Sequence, residues 1–498
     1  MANPSVIQGK MLINGQLVDS VSGETFESTN PATEELIGVV PKANAEDVAI
    51  ATEAAKAAQR AWVKTDMGHR IKVLTQFAAA LEARTDEIAE LEVRDTGNTI
   101  KPMRQDVITA ADRIRLYAGL GYELKGETIP ATASGLHITV REPYGVVGRI
   151  IPFNHPIGFA ASRLAPALVA GNSILIKPPE QSPLSACILA ELCQEHFPPG
   201  LVNILTGEGA TGDAIVRHPD IKRIAFIGSV PTGMRIQHSA AEVAVKSVSL
   251  ELGGKNPLIA CPDADPDVVA TAAVRGMNFA WQGQSCGSTS RILLHESLHD
   301  AVVERMITKL KTLKLGNPLD PNIDMGPMNS KKQYERVMSL IAAAKDEGAK
   351  CLVGGGRPQG AGFEKGYWVE PTLFSGVNTS MGIAQTEVFG PVVSIFKWSH
   401  LDEAVEMANA IEYGLTASIF THDFETAMQL SRAVNVGYVW INGTNTHFRN
   451  VPYGGFKNSG IGREEGLDEL LSYTELKAIN WTPGVSSAAG SAWRQSND

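Results

Sequence analysis

Five short apolar runs decide the fold: Gly145–Ile151 (GVVGRII), Ser173–Lys177 (SILIK), Leu201–Leu205 (LVNIL), Arg223–Gly228 (RIAFIG) and Val245–Leu252 (VKSVSLEL). They are rich in Val, Ile and Leu and alternate with helical segments, the pattern of parallel strands joined by crossover helices. Ser182 and Pro183 are expected to begin one helix as cap and first-turn proline, and Thr211–Arg217 and Pro231–Ala241 read as shorter helices. The fold class is therefore α/β, and this stretch has the texture of a nucleotide-binding half.

Upstream, Val48, Ala51, Ala55, Ala58 and Trp62 recur at helical spacing behind a candidate cap at Asn44, and helical patterning continues through Arg70–Thr96 and Pro102–Tyr117. Downstream a second α/β pattern begins. It runs through PLIAC from Pro257, a helix over Asp265–Phe279, the strand RILLHE, and amphipathic helices at Ser297–Leu313 and Ser330–Glu347. The chain is expected to change domain near Gly253–Pro257, and the last residues, SSAAGSAWRQSND, read as frayed.

At 498 residues the chain exceeds the ~250–300 at which single cores stop growing, so more than one domain is expected. No run approaches the ~18 apolar residues of a membrane helix, and the start MANPSVIQGKMLINGQ lacks a secretory pattern. Five cysteines without paired or metal-site spacing point to a reducing, cytoplasmic setting and to no metal. A net charge of −10 opposes nucleic acid as a partner.

The candidate nucleophile is Cys286, in Trp281–Arg291 (WQGQSCGSTSR), where its neighbours are small or polar. By itself it reads equally as a small core hydrophobe, as Cys187 and Cys193 do in the apolar run SACILAELCQEH. A thiolate is intrinsically very nucleophilic, which makes an accessible one a carbonyl reagent. Glu251 ends an apolar strand; partial burial would raise its pKa towards that of a general base, and its bland alternative is a solvated loop carboxylate. Asn154 follows another strand in IIPFNHP, where its amide could donate to an oxyanion or simply form a turn before Pro156; His155 is taken as a turn residue. Gly207–Gly212 (GEGATG), Gly228-Ser229 and Lys177-Pro-Pro-Glu180 each follow a strand, where open parallel sheets bind ligands. Glu180 could accept ribose hydroxyls while repelling a 2′-phosphate, or be a surface carboxylate.

Together these pieces are more specific than any one. IIPFNHP, IKPPEQSPL, FIGS, LELGGKNP, GQSCGSTSR, EVFGPV and PYGGFKNSGIGRE occur in the order and over the span that resemble the aldehyde dehydrogenase superfamily of NAD(P)-dependent enzymes. The resemblance implies a Rossmann-like NAD-binding domain (1–125 and 143–254), an α/β catalytic domain (255–455) and a β-hairpin oligomerisation element (126–142 with 473–490). It implies that Cys286 attacks a small-molecule aldehyde, with Asn154 and the Cys286 N–H holding the oxyanion and Glu251 activating the hydrolytic water. It implies NAD, less readily NADP, bound by Lys177, Glu180, Phe153, Gly207, Gly228, Ser229, Leu252, Glu387 and Phe389. A homodimer or homotetramer follows from the hairpin. The GEGATG turn departs from the family's commoner glycine spacing.

The same resemblance places Thr109, Phe159, Ser162, Ser285, His447 and Arg449 along the aldehyde tunnel. A small Ser162 would widen one wall, giving room for an aldehyde bulkier than acetaldehyde: aromatic, ring-bearing or a semialdehyde. Arg449 could pair with a substrate carboxylate or be an ordinary loop arginine. The rival readings are a coenzyme-A-acylating dehydrogenase, which has no need of the base Glu251, a thiol esterase, and a non-enzymatic relative.

Overall fold

The apolar runs assemble into two sheets in the computed structural model, which describes residues 6–132 and 135–482. The first is eight-stranded, in the order Gly460–Ile461, Ser247–Glu251, Ile221–Ile227, Val146–Ile150, Ser173–Lys177, Val202–Ile204, Met11–Ile13 and Gln16–Val18. Its five central strands are parallel, with antiparallel additions at both edges. From Val146–Ile150 the chain steps outward twice to one side, then returns to build Ile221–Ile227 and Ser247–Glu251 on the other. That reversal opens a crevice beyond the carboxyl ends of Val146–Ile150 and Ile221–Ile227.

The second sheet is seven-stranded: Lys350–Val353, Thr372–Ser375, Val392–Trp398, Arg291–His295, Pro257–Ala260, Thr416–Phe420 and Tyr438–Ile441. All its pairs are parallel except the outermost, Lys350–Val353 with Thr372–Ser375. Successive residues of a central strand feed opposite cores: Ile259 and Leu293 pack on one face, Leu258, Ala260 and Ile292 on the other. In the first sheet Val147 and Ile174 divide from Val146 and Leu175 in the same way. The chain crosses from one sheet to the other between Glu251 and Pro257.

Helices lie near their expected positions. Asn44 caps Ala45–Trp62 through a capping box with Asp47, and Asp265 and Ser330 cap Pro266–Gly276 and Lys331–Asp346. The expected long region divides into Met67–Ala83, Thr85–Thr96 and Ile100–Leu120. Ser182 and Pro183 do not start a helix: Ser185–His196 begins behind Leu184, whose N–H donates to Asp95 Oδ2 at 2.8 Å, and Ser182 Oγ donates instead to the Phe153 carbonyl at 3.2 Å.

A three-stranded antiparallel sheet, Thr474–Trp481, Gly135–Pro143 and Thr128–Thr132, stands apart from the two large ones. Residues 483–490 of the expected oligomerisation element, and the terminal segment expected to fray, lie outside the described residues. Within residues 456–472, which the sequence reading left unassigned, Gly460–Ile461 is an edge strand of the first sheet and Leu470 is buried in its core, while Phe456–Lys457 pairs with Tyr413–Gly414. All five cysteines are free. Among the described residues no helix is long and apolar enough to cross a membrane, and no group of His, Cys, Asp and Glu could hold a metal ion.

Candidate active site

Two cavities meet at Cys286. The first, about 590 Å³, opens at the crevice of the first sheet; the second, about 440 Å³, lies on the other side of the cysteine. Ile227, Glu251 and Cys286 line both.

The loop carrying Cys286 is held through its backbone. Asn278, Gln282 and Gly283 all adopt positive φ, so the chain coils tightly ahead of the cysteine. Asn256 Nδ2 then donates to the carbonyls of Cys286 at 2.7 Å and Ser288 at 3.0 Å, while its Oδ1 accepts from Thr416 N–H. Asn256 belongs to the motif LELGGKNP, so one short stretch supplies both Glu251 and the clamp on the thiol's loop. Cys286 is half-buried. Burial pushes its thiol up to about 12, with Glu387 adding to the effect and the Tyr453 hydroxyl opposing it.

Glu251 ends the strand Ser247–Glu251, and neither of its buried carboxylate oxygens has a hydrogen-bond partner among the described residues. Burial, then the neighbouring Glu464, holds its carboxyl well above the usual range, with Arg463, Arg163 and Arg149 opposing. Gly454 makes room for it: a Cβ there would lie 2.7 Å from Glu251 Oε1. Asn154 is buried with its Oδ1 unpartnered, and its backbone carbonyl accepts from Asn98 Nδ2 at 3.0 Å. The following helix Pro156–Val169 is fixed by Glu92, which accepts from Ile157 N–H and Ser185 Oγ at 2.7 Å each.

The first cavity brings together Phe153, Asn154, Lys177, Glu180, Gly228, Ser229, Leu252, Glu387 and Phe389. Lys177 Nζ lies 3.1 Å from Glu180 Oε2. Burial raises the Glu180 carboxyl, but the Lys177 ammonium outweighs it and holds Glu180 below its ordinary value. Glu387 Oε1 accepts from Gly254 N–H at 2.8 Å, yet burial pushes its carboxyl up to about 7. The rings of Phe153 and Phe389 meet edge to face at 5.7 Å. Ser229 precedes the helix Val230–Ala241, whose N-terminus has no side-chain cap; Pro231 has no N–H, and Thr232 and Gly233 donate theirs to the Ser229 carbonyl at 3.1 and 3.0 Å, so what this end offers an anion is chiefly its dipole. Gly207 is not at this cavity. A Cβ there would sit 2.1 Å from Thr211 Oγ1, so its glycine serves the packing of the turn, and Gly209, Ala210 and Gly212 line the cavity instead.

The second cavity brings together Thr109, Phe159, Ser285, Gly287 and His447 with Cys286. Two tunnel expectations fail here. Ser162 is fully buried in its helix, its hydroxyl donating to the Gly158 carbonyl at 2.5 Å, and it widens no wall. Arg449 is on the surface, paired with Asp112 at 2.9 Å, and is not among the lining residues.

The sequence reading missed a buried charge network behind this cavity. Glu464 receives Arg149 at 2.7 Å and Arg163 at 3.1 Å; Arg163 also reaches Glu469 at 2.8 Å and Glu465 at 3.3 Å. Glu465 further binds Arg113 at 2.5 Å and His447 Nδ1 at 2.8 Å. Tyr453 was missed as well; its hydroxyl lies 4.0 Å from Cys286 Sγ. His155 is more than a turn residue, because its Nδ1 lies 2.7 Å from Asp106 Oδ2 and it lines the second cavity. The one signal for Glu464 and Tyr453 was their place in PYGGFKNSGIGRE, with Glu465 the residue that follows it.

Cys286 thus stands where the crevice of the first sheet meets a second cavity. Residues 17–479 match the aldehyde dehydrogenase family. Aldehyde dehydrogenase tropH of Talaromyces stipitatus is 44% identical over 492 residues, which cover 97% of this chain and 95% of that protein. An aldehyde dehydrogenase structure from Burkholderia cenocepacia superposes with a TM-score of 0.94 at 38% identity, covering 97% of this chain and 99% of that one. An NAD+ complex of aldehyde dehydrogenase from Bacillus cereus gives 0.93 at 39% identity, with coverage of 96% and 97%. The chain belongs to the aldehyde dehydrogenase family, enzymes that oxidise aldehydes.

Proposed function

We propose that this enzyme oxidises an aldehyde to its carboxylic acid with NAD as hydride acceptor, through a covalent intermediate on Cys286. The observation that carries the reading is the meeting of two cavities at Cys286 and Glu251. A carbonyl carbon bound to the sulfur needs an acceptor on one side and room for its own substituent on the other, and this arrangement supplies both.

In this mechanism Cys286 reacts as the thiolate, its proton having passed to solvent water: Sγ attacks the carbonyl carbon, and the displaced electron pair moves to the oxygen. The Asn154 amide and the Cys286 N–H stabilise that oxyanion, an interaction of the kind worth ~2.7–4 kcal/mol. Loss of hydride from the same carbon leaves a thioester. Glu251 then takes a proton from water, whose oxygen attacks the thioester and expels the thiolate. The oxidised nicotinamide, when bound, supplies a positive charge beside the thiol and the site that receives the hydride.

The first cavity fits a dinucleotide by its donor set. Lys177 and Glu180 stand as an ion pair suited to ribose hydroxyls, the helix N-terminus after Ser229 would face a pyrophosphate with its dipole, and Glu387 and Phe389, which line the cavity together with Cys286, would hold the nicotinamide end. Glu180, held in its charged form, repels a 2′-phosphate and favours NAD over NADP. The NAD+ bound by the Bacillus cereus relative is in keeping with this. The second cavity, at about 440 Å³, has room for an aldehyde larger than acetaldehyde. The antiparallel sheet exposes Leu136, Leu476, Ile479 and Trp481, which supports pairing with a second copy in a dimer or tetramer.

Cys286→Ala tests the reading: NADH formation is lost while NAD still binds, and turnover near wild type would overturn it. Acid formation measured with and without coenzyme A tests the second half-reaction. A requirement for the added thiol would replace hydrolysis by acyl transfer.

A further inference from the structure

The second cavity is polar next to the nucleophile. A Cβ at Gly287 would lie 3.5 Å from Tyr453 Oη, 3.6 Å from Asn445 Oδ1 and 4.0 Å from Ser285 Oγ, so three oxygens converge beside Cys286 on that side. Two imidazoles on the same cavity are each bound at Nδ1 to a carboxylate, His447 to Glu465 and His155 to Asp106. Among the described residues neither Nε2 has a protein partner. The His447 ring is further held by Tyr453, its centroid 4.7 Å away.

The tautomer follows from the partner. Burial opposes the charge on Glu465, but Arg113, the hydrogen bond from His447 and Arg163 outweigh it and keep the carboxylate ionised and accepting only. A neutral His447 therefore places its proton on Nδ1 towards Glu465 and leaves Nε2 as an acceptor. An acceptor recognises a hydroxyl and gives nothing to a carboxylate. Two arginines of the same cavity are already committed: Arg113 to Glu465, and Arg163 to Glu464, Glu465 and Glu469. Arg275 lines the same cavity with an exposed guanidinium, which makes carboxylated aldehydes the competing class.

We propose, resting on the aldehyde-oxidising reading above, that the cavity selects hydroxylated aldehydes, with His447, oriented by Glu465, accepting the hydrogen bond of the substrate hydroxyl. A simple apolar aldehyde of the same shape would leave Nε2 and the neighbouring oxygens desolvated and unpaired. Sites built around such a hydrogen bond discriminate strongly against the analogue that lacks it.

The test uses the full-length enzyme with NAD at pH 7, where most of each phenol keeps its proton, and a shape-matched series: benzaldehyde, its 2-, 3- and 4-hydroxy derivatives, and 3-carboxybenzaldehyde. At least one hydroxy derivative is expected to exceed benzaldehyde in kcat/KM by tenfold or more. His447→Phe should bring that ratio near one, and Tyr453→Phe, which removes a single oxygen, serves if the first variant does not fold, as judged by NAD fluorescence quenching. Equal use of benzaldehyde and every hydroxy derivative, a preference for the carboxylated aldehyde, or a ratio unchanged in the folded variant would each overturn the proposal. Failure of wild type to oxidise any aldehyde would instead overturn the reading on which it rests.

Discussion

Replacing Glu251 by glutamine preserves the shape of the side chain and removes its ability to take a proton. Both carboxylate oxygens are buried without partners, so no protein hydrogen bond is broken by the change. General bases contribute ~10²–10⁴-fold to rate, or about 2.7–5.5 kcal/mol of barrier at 1.36 kcal/mol per tenfold. Hydride leaves before water attacks, so the first turnover should survive. Stopped-flow absorbance should show a burst of one NADH per site followed by a steady state slower by ~10²–10⁴-fold. The pH dependence has a definite sign. Because burial raises the Glu251 carboxyl, wild-type hydrolysis climbs as pH rises through that raised value, and the variant loses this limb. Stability changes in the opposite sense. A carboxyl whose folded pKa lies above its unfolded ~4.3 contributes stability below that value and loses it as pH rises through the folded pKa. The glutamine variant should therefore outlast wild type on the alkaline side. A steady state equal to wild type, or disappearance of the burst together with the steady state, would refute this role.

Other perturbations test separate parts of the site. Glu180→Ala should raise the NADP-to-NAD ratio of kcat/KM on the order of tenfold by removing a repulsive carboxylate; an unchanged ratio places 2′-phosphate discrimination elsewhere. Arg163→Met strips a fully buried cation from three carboxylates and should cost about 3–5 kcal/mol, read as a large drop in thermal midpoint; an unaltered melting curve would mean the network carries no net charge compensation. Tyr453→Phe removes the hydroxyl 4.0 Å from the thiol. Hydrogen bonds to charged groups contribute ~1.5–3 kcal/mol, so iodoacetamide should alkylate Cys286 about tenfold or more slowly at a fixed pH, with the pH midpoint moved upward. An unmoved alkylation profile would show that the hydroxyl does not reach the thiolate.

What the sequence made legible was local. The strands declared themselves as short apolar runs, and Cys286, Glu251 and Asn154 each sit within a few residues of a strand end or tight turn. Asn44 worked as a cap for the same reason, because donor and acceptor are three residues apart. What escaped depends on residues far apart in the chain. Arg163 and Glu469 meet across 306 positions, and His447 becomes an oriented acceptor only because Glu465 folds back against it at a positive φ. Ser162 looked like a wall of the tunnel, but its helix turns the hydroxyl back onto Gly158. At Ser182, a local rule lost to a tertiary bond, since Asp95 captures the Leu184 N–H and delays the helix.

The strand Gly460–Ile461 and the carboxylates Glu464 and Glu469 complete a sheet and a charge cluster whose other members are made much earlier. During synthesis, Arg149 and Arg163 leave the ribosome long before their partners exist. A nascent chain that closed its first sheet at once would bury two guanidinium groups with nothing to neutralise them. Final packing of the N-terminal half is therefore favoured only once almost the whole polypeptide has emerged. The last turns of the chain act as the closing step of assembly, and a truncated product lacking them would expose its incomplete core to quality control rather than persist as a half-built enzyme.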